Sequence, residues 1–345
     1  MTRKIFQGLD SGSFLHFSEV AIGDLNNDNL FINYGLAHDV LFGGNGNDVF
    51  VLKTDRFADT IFGNAGSDTV DYTQSFTGLR VDLEAGVATV NGPRPVVVTH
   101  LNGIENAIGT SFNDVLIGNT GNNILDGNLG LDIVSYAHAE SGVDIDLADG
   151  TVEGDDTGTD TLRRIEGAEG SEYDDTYDAR GFGSTSLNSG SVGTYNVFEG
   201  RGGDDEIWGN GNTLVSYEHA TGGVEVDLDD GEVEGNASVG EDGLHNVNAV
   251  QGSAFNDTFK ASDDADTFVF KGQFGHDTIE DFQAGNGGDQ DVLLFTNTSV
   301  HSFQDLLLHA TEDGDDVTIA IDGFGSVTLE DVSLHDLSAQ NFDFA

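Results

Sequence analysis

Large apolar residues recur at intervals of nine along much of the chain, each behind a turn-like run of glycine, asparagine and aspartate. Gly43-Gly-Asn-Gly-Asn-Asp48-Val-Phe50-Val51 gives the pattern in full, with glycine at positions one, two and four, aspartate at six and a large apolar residue at eight. Residues 34–42 precede it in phase, with Asp39 and Leu41 at positions six and eight. After a two-residue slip, residues 54–62 and 63–71 resume the spacing with Asp59 and Asp68. Repeats beginning at Gly109, Gly118 and Gly127 then run head to tail, carrying Asp114, Asn123 and Asp132 at position six and Leu116, Leu125 and Val134 at position eight. Less regular copies begin at Gly200, Gly252 and Ala261, with Asp205, Asp257 and Asp266 at position six. A fixed short period of this kind predicts stacked coils, each too small to bury a core without its neighbours.

A longer repeat is superimposed on the short one. Residues 71–83, 135–147 and 216–228 align without gaps, and after a variable insert each is followed by a similar exit at 104–114, 165–175 and 247–257. Both parts alternate apolar with polar residues, as half-buried strands do. They predict three strand-rich modules, each feeding back into repeat turns.

The nonapeptide at Gly43 fits G-G-x-G-x-D-x-U-x at every specified position. On it, and on the phased copies, the chain resembles the RTX (repeats-in-toxin), haemolysin-type calcium-binding family. The resemblance implies an all-β fold: a right-handed parallel β-roll, a β-helix-like solenoid built from nonapeptide repeats, with strand-rich inserts and a C-terminal cap. In such a roll a nonapeptide is half a coil, so turns that stack come from repeats two apart. The implied cofactor is Ca²⁺, several ions of it, held at Asp39, Gly44, Asn45, Gly46, Asp48 and Asp59, at Asn64, Gly66 and Asp68, and at Asp114. The second and third blocks add Asn119, Gly121 and Asn123, then Asn128, Gly130 and Asp132, then Gly202, Asp205, Asp257 and Asp266. Asp114 and Asp132 stand 18 residues apart, and Asp48 and Asp68 stand 20 apart, which is 18 plus the slip, so each pair is expected to face one ion. Carboxylate and carbonyl oxygens suit this hard cation, whose six to eight ligands tolerate irregular geometry. Asn123 lacks the carboxylate, so its half-site is expected to be weak or purely structural.

Charge supports a bound cation. The chain has 62 Asp and Glu against 12 Lys and Arg, a formal charge of −50. Held together within a Debye length of about 8 Å, such charges oppose compaction unless counter-ions bind. Nucleic acid is excluded as a partner, since polyphosphate meets the same sign of charge. Disorder is disfavoured because 37% of the residues are hydrophobic and 23 are Phe, which is material for a core. The chain contains no cysteine, so neither disulfides nor thiolate sites hold the fold. His138 and His219 fill one place in two modules, but Gln74 fills it in the third, and no histidine follows at i+4. Ordinary hydrogen bonding is expected of them. Paired carboxylates such as Asp155-Asp156 and Asp229-Asp230 read as solvated faces or peripheral ligands rather than an acid–base pair.

By blocks, the expected organisation is an N-terminal cap (1–33), a first repeat block (34–71), and a strand module with the second repeat block (72–134). A strand module with degenerate repeats (135–208) and a third such module (209–271) follow, then a C-terminal cap with a type I secretion signal (272–345). That last block is similar to the closing segment of serralysin-type secretion substrates, and it ends in alternating aromatics, Phe342 and Phe344. No apolar N-terminal leader and no membrane-spanning run is visible. The expected function is that of a secreted, extracellular calcium-binding protein that folds on Ca²⁺, a non-enzymatic surface, matrix or adhesion component. Its partners would be calcium and the type I secretion machinery. Neither H-E-x-x-H nor G-x-S-x-G occurs. The alternative is a polysaccharide-binding or polysaccharide-modifying module, with inserts at 91–99, 154–161 and 179–194 shaping a groove. Only scattered basic residues such as Arg94, Arg163, Arg164 and Arg201 would be available to an acidic glycan.

Overall fold

The computed structural model describes residues 20–23, 27–33, 38–53, 58–92, 94–285 and 287–345, and the backbone of Lys4–Gln7. Most of the expected N-terminal cap, and the first four residues of the repeats at 34 and 54, lie outside the described residues. The fold is a nearly all-β parallel β-roll. Strands are short, three to seven residues, and the helices among the described residues are one turn at Phe303–Leu306 and a 3₁₀ turn at Ala339–Asn341.

The chain forms two compact units, residues 1–139, 143–168 and 181–194, and residues 140–142, 169–180 and 195–345. In the first, Asn29–Asn33, Val49–Leu52, Thr69–Asp71, Asn106–Ile108, Ile124–Asp126 and Gly158–Arg163 pair in parallel, one coil on the next. Their register places Phe31, Phe50, Val70, Ala107, Leu125 and Leu162 in one column. All six are buried, and Phe31 and Phe50 stack with centroids 4.8 Å apart. The second sheet of this unit repeats the arrangement with Ala21, Leu41, Ile61 and Leu101, and with Val81, Leu116 and Val134. Every position-eight residue from Leu41 to Val134 is therefore a core residue. Each such side chain contributes about 1.5–3 kcal/mol by leaving water, which is possible only once the neighbouring coil is in place.

In the second unit the column runs through Phe198, Val215, Val250, Phe268, Leu293 and Phe342 on one sheet. On the other it runs through Val226, Phe259, Ile279 and Leu329. The terminal strand Phe342–Phe344 is thus the last parallel rung on Val292–Thr296.

The three aligned modules interrupt the coils with antiparallel meanders. These are Leu79–Asp82, Val87–Val90 and Val97–Asn102; Val143–Asp146, Thr151–Gly154 and Gly158–Arg163; and Glu225–Asp227, Glu232–Glu234 and Glu241–His245. In each, the outer strands rejoin the parallel sheet, so the insert is a detour from the roll. A fourth meander, Ala310–Asp313, Asp316–Ile321 and Gly325–Leu329, lies in the C-terminal block.

Candidate calcium-binding turns

The position-six carboxylates stack as a ladder. Asp48 Oδ1 accepts the backbone N–H of Asn29 at 2.6 Å, Asp68 Oδ1 that of Asp48 at 2.7 Å, and Glu105 Oε2 that of Asp68 at 2.7 Å. On the other edge of the same unit, Asp132 Oδ1 accepts from Asp114 at 2.7 Å and Glu166 Oε2 from Asp132 at 2.8 Å. Asp59 Oδ1 accepts from Asp39 at 3.0 Å, with Asn33 Nδ2 donating to both carboxylates. In the second unit Asp205 receives the Asp175 amide, Asp242 the Asp205 amide, Asp277 the Asp257 amide and Asp291 the Asp266 amide, at 2.8–3.0 Å. Each coil is gripped by the carboxylate of the coil after it. The pairs Asp48/Asp68 and Asp114/Asp132, expected to face each other from spacing, are in this contact.

One oxygen remains on several of these groups. Asp68 Oδ2, Asp132 Oδ2 and Asp205 Oδ2 are buried and have no hydrogen-bond partner. Each faces the glycine at position one of its own turn, where an added Cβ would stand 2.4 Å, 2.5 Å and 1.8 Å from it, at Gly63, Gly127 and Gly200. At Gly63 and Gly127 the carbonyl oxygens of Gly103 and Arg164 border the same space. An unpartnered buried carboxylate oxygen costs several kcal/mol unless a cation or proton compensates it. Accordingly, burial first and neighbouring carboxylates second push Asp68 up to about 7, Asp132 to about 8 and Asp205 to about 9. Carboxylate oxygens, joined at Gly63 and Gly127 by backbone carbonyl oxygens, and dense negative charge match what a hard divalent cation requires. The residues present therefore fit Ca²⁺.

Backbone conformation marks the same turns. Positions two and four are left-handed at Gly44 and Gly46 (φ 115°, 107°), Asn64 and Gly66 (76°, 147°), Asn128 and Gly130 (74°, 138°), and Arg201 and Gly203 (73°, 111°). Gly203, rather than the Gly202 expected as a ligand, fills position four of its turn. Asn123 sits in a different turn. Its Oδ1 accepts the Asn119 N–H at 2.7 Å, and Asn119 Oδ1 accepts from Gly121 N–H and Asn123 Nδ2 at 2.9 and 3.2 Å. The side-chain amides close this turn on themselves.

Several ladder members are absent from the repeat motif. Glu105, Glu166 and Asn248 occupy one aligned place in the three module exits, and their side-chain oxygens accept the amides of Asp68, Asp132 and Thr213. The alignment carried that signal. Asp160 and Asp242 lie in inserts of unequal length, where no period points to them. Tyr136 and Tyr217, equivalent in two modules, donate their hydroxyls to Asp160 Oδ2 at 2.8 Å and Asp242 Oδ2 at 3.0 Å. His219 Nδ1 lies 2.9 Å from Glu199, and Arg201 pairs with the neighbouring Glu169.

The model of the RTX calcium-binding nonapeptide repeat (4 copies) matches residues 35–55, 51–73, 101–135, 195–213 and 247–279. No curated protein matches the chain. Among the solved structures similar to it is the extracellular lipase LipA from Serratia marcescens, 15% identical, with a TM-score of 0.26 over 92% of this chain and 40% of the lipase chain. The chain thus spans less than half the length of that protein.

Proposed function

We propose that this chain, which carries RTX calcium-binding nonapeptide repeats, is a secreted extracellular protein whose β-roll is completed by Ca²⁺ and that serves as a non-enzymatic surface, matrix or adhesion component. The observation that carries the calcium reading is that carboxylate oxygens of Asp68, Asp132 and Asp205 are buried and unpartnered in a chain of charge −50. Calcium supplies positive charge and six to eight coordination positions for oxygen. Asp68, Asp132 and Asp205, with Asp48 in the intact Gly43 motif, are the carboxylates that would hold it, beside the carbonyls of the glycine-rich turns.

The protein's own residues prepare the site. Glycine at position one admits the carboxylate, left-handed positions two and four keep the turn open, and the ladder fixes each carboxylate against the preceding coil. Because stacked turns are needed for the site, binding free energy becomes folding free energy. Low calcium inside the cell and high calcium outside would then direct folding to the exterior, after export by a type I system. The glycan alternative is disfavoured because Arg164 and Arg201 are engaged by Asp126 and Glu169.

Circular dichroism with and without chelator tests the reading. Loss of the β signal on chelation, restored by calcium and poorly by magnesium, is expected. A chelated protein that keeps its β signal and melting temperature refutes it. Incubation of the calcium-loaded protein with alginates and pectins tests the non-enzymatic part, which a new unsaturated or epimerised product would overturn.

A further inference from the structure

Besides the amide-closed turn at Gly118, the nine-residue period runs through two chemically different kinds of turn. Those at Gly43, Gly63, Gly127 and Gly200 are left-handed at positions two and four, whereas those at Gly109, Gly170, Gly252 and Ala261 are left-handed at neither. In the second kind position two is Thr110, Ser171, Ser253 or Ser262, and the same three bonds recur. Its N–H donates to the aspartate at position six at 2.5, 2.6, 2.7 and 2.7 Å. Its hydroxyl donates to that carboxylate at 3.1, 2.9, 2.7 and 2.9 Å. Its oxygen accepts the N–H of position four at 3.0, 3.0, 3.0 and 3.2 Å.

We propose that in these turns the hydroxyl of position two replaces the ion, so that Asp114, Asp175, Asp257 and Asp266 take no calcium while Asp68, Asp132 and Asp205 do. The inference rests on the calcium reading above and sharpens it. A cation needs lone pairs aimed at it. In the closed turns the carboxylate already receives an amide hydrogen and a hydroxyl hydrogen from within its own turn, and Asp114 receives the Leu79 amide as well at 2.6 Å. A cation would have to displace charge-assisted bonds that the sequence builds locally. In the open turns at Gly63, Gly127 and Gly200, left-handed backbone at positions two and four goes with a second carboxylate oxygen, on Asp68, Asp132 and Asp205, that no donor reaches. Asp114 and Asp132, expected from their spacing to share one ion, thereby differ: Asp114 is satisfied by Thr110, and Asp132 is not satisfied.

Each strand module exits through a closed turn, at Gly109, Gly170 and Gly252, and after the third the next turn, at Ala261, is closed as well. The modules therefore end in a turn whose shape needs no metal.

Calcium bound per chain, measured by elemental analysis after equilibration at buffered free calcium, tests this on the full-length protein. The proposal predicts that Asp114→Asn keeps the count of the unsubstituted chain and that Asp132→Asn lowers it. A count lowered by Asp114→Asn overturns it. Should circular dichroism show that Asp132→Asn has lost the roll, Asp205→Asn against Asp175→Asn makes the same comparison in the other unit. Opening the closed turn with Thr110→Gly and Phe112→Gly should raise the count, and an unchanged count there counts against the proposal. A chain that binds no calcium before any substitution overturns the parent reading, an outcome seen separately from any difference between variants.

Discussion

Gly127→Ala puts the geometry of an open turn under direct test. Gly127 is not in a left-handed conformation, so alanine brings no backbone penalty, and the effect is steric. The new Cβ would lie 2.3 Å from the carbonyl oxygen of Arg164 and 2.5 Å from Asp132 Oδ2, against an ordinary contact of about 3.5 Å. Neither neighbour yields freely. The Gly127 N–H is bonded to the Arg163 carbonyl at 2.9 Å, and Asp132 Oδ1 holds the Asp114 amide. Relief requires parting two coils or turning the carboxylate out of its cradle. Overpacking of this kind costs about 1–3 kcal/mol, partly offset by the roughly 0.4–1 kcal/mol that Gly→Ala recovers from the unfolded chain. A net loss of about 1–2 kcal/mol corresponds to a 5- to 30-fold shift in a folding equilibrium. Because folding and binding are coupled, it appears as a higher calcium midpoint in a titration followed by circular dichroism. Gly121→Ala is the control, since its Cβ meets nothing closer than Asn119 Oδ1 at 3.2 Å in a turn closed by side-chain amides. Equal midpoints for the two variants would refute the reasoning.

Phe268→Ala, which empties a fully buried position between Val250 and Leu293, should cost about 3–5 kcal/mol and lower the melting temperature of the calcium-loaded protein. Asp277 is pushed from its ordinary 3.8 up to about 8, chiefly by burial and then by Asp257, so the folded state binds its proton more tightly than the unfolded chain does. At a fixed free calcium that keeps the roll folded, this group's contribution to stability is present at about pH 4 and lost as pH rises to about 8, so Asp277→Asn should make the slope of stability against pH more positive; a slope unchanged by the substitution contradicts the assignment. Removal of residues 333–345 should hold the protein inside the cell, assayed as protein in the medium. Phe342→Ala, which vacates the same core rung but keeps the terminus, separates loss of packing from loss of an export signal.

Much of the architecture was legible because one rule serves every coil. Position eight of each phased nonapeptide proved to be a column residue, and the spacing of 18 placed Asp114 against Asp132. The gapless alignment of 71–83, 135–147 and 216–228 marked the entries to the meanders. What stayed hidden depends on contacts outside the period. Asp160 and Asp242 reach the ladder only through strands whose inserts differ in length, and the tyrosines that bind them look like ordinary core aromatics in the sequence. The shift from Gly202 to Gly203 has a simpler cause: counted from Gly200 to Asp205 at position six, position four is Gly203, and its left-handed backbone agrees. Thr110, Ser171, Ser253 and Ser262 were visible as letters, but the motif assigns no role to position two beyond glycine.

The ladder also indicates how the ions communicate. Asp132 holds the amide of Asp114 with one oxygen while its own amide is held by Glu166, so three successive coils meet at one carboxylate. Besides burial, Asp114, Glu166 and Asp126 all oppose its ionisation. The same holds at Asp205, where Asp242, Asp175 and Asp174 act together. A cation on either carboxylate removes repulsion felt by every neighbour, and the neighbours can then be charged within the stack at lower cost. Successive binding events along an open run should thus reinforce one another, whereas a closed turn, whose carboxylate is already satisfied by hydrogen bonds, gains little from an ion and passes little on. On this argument cooperativity is set by runs of open turns between closed ones, and not by the total number of repeats.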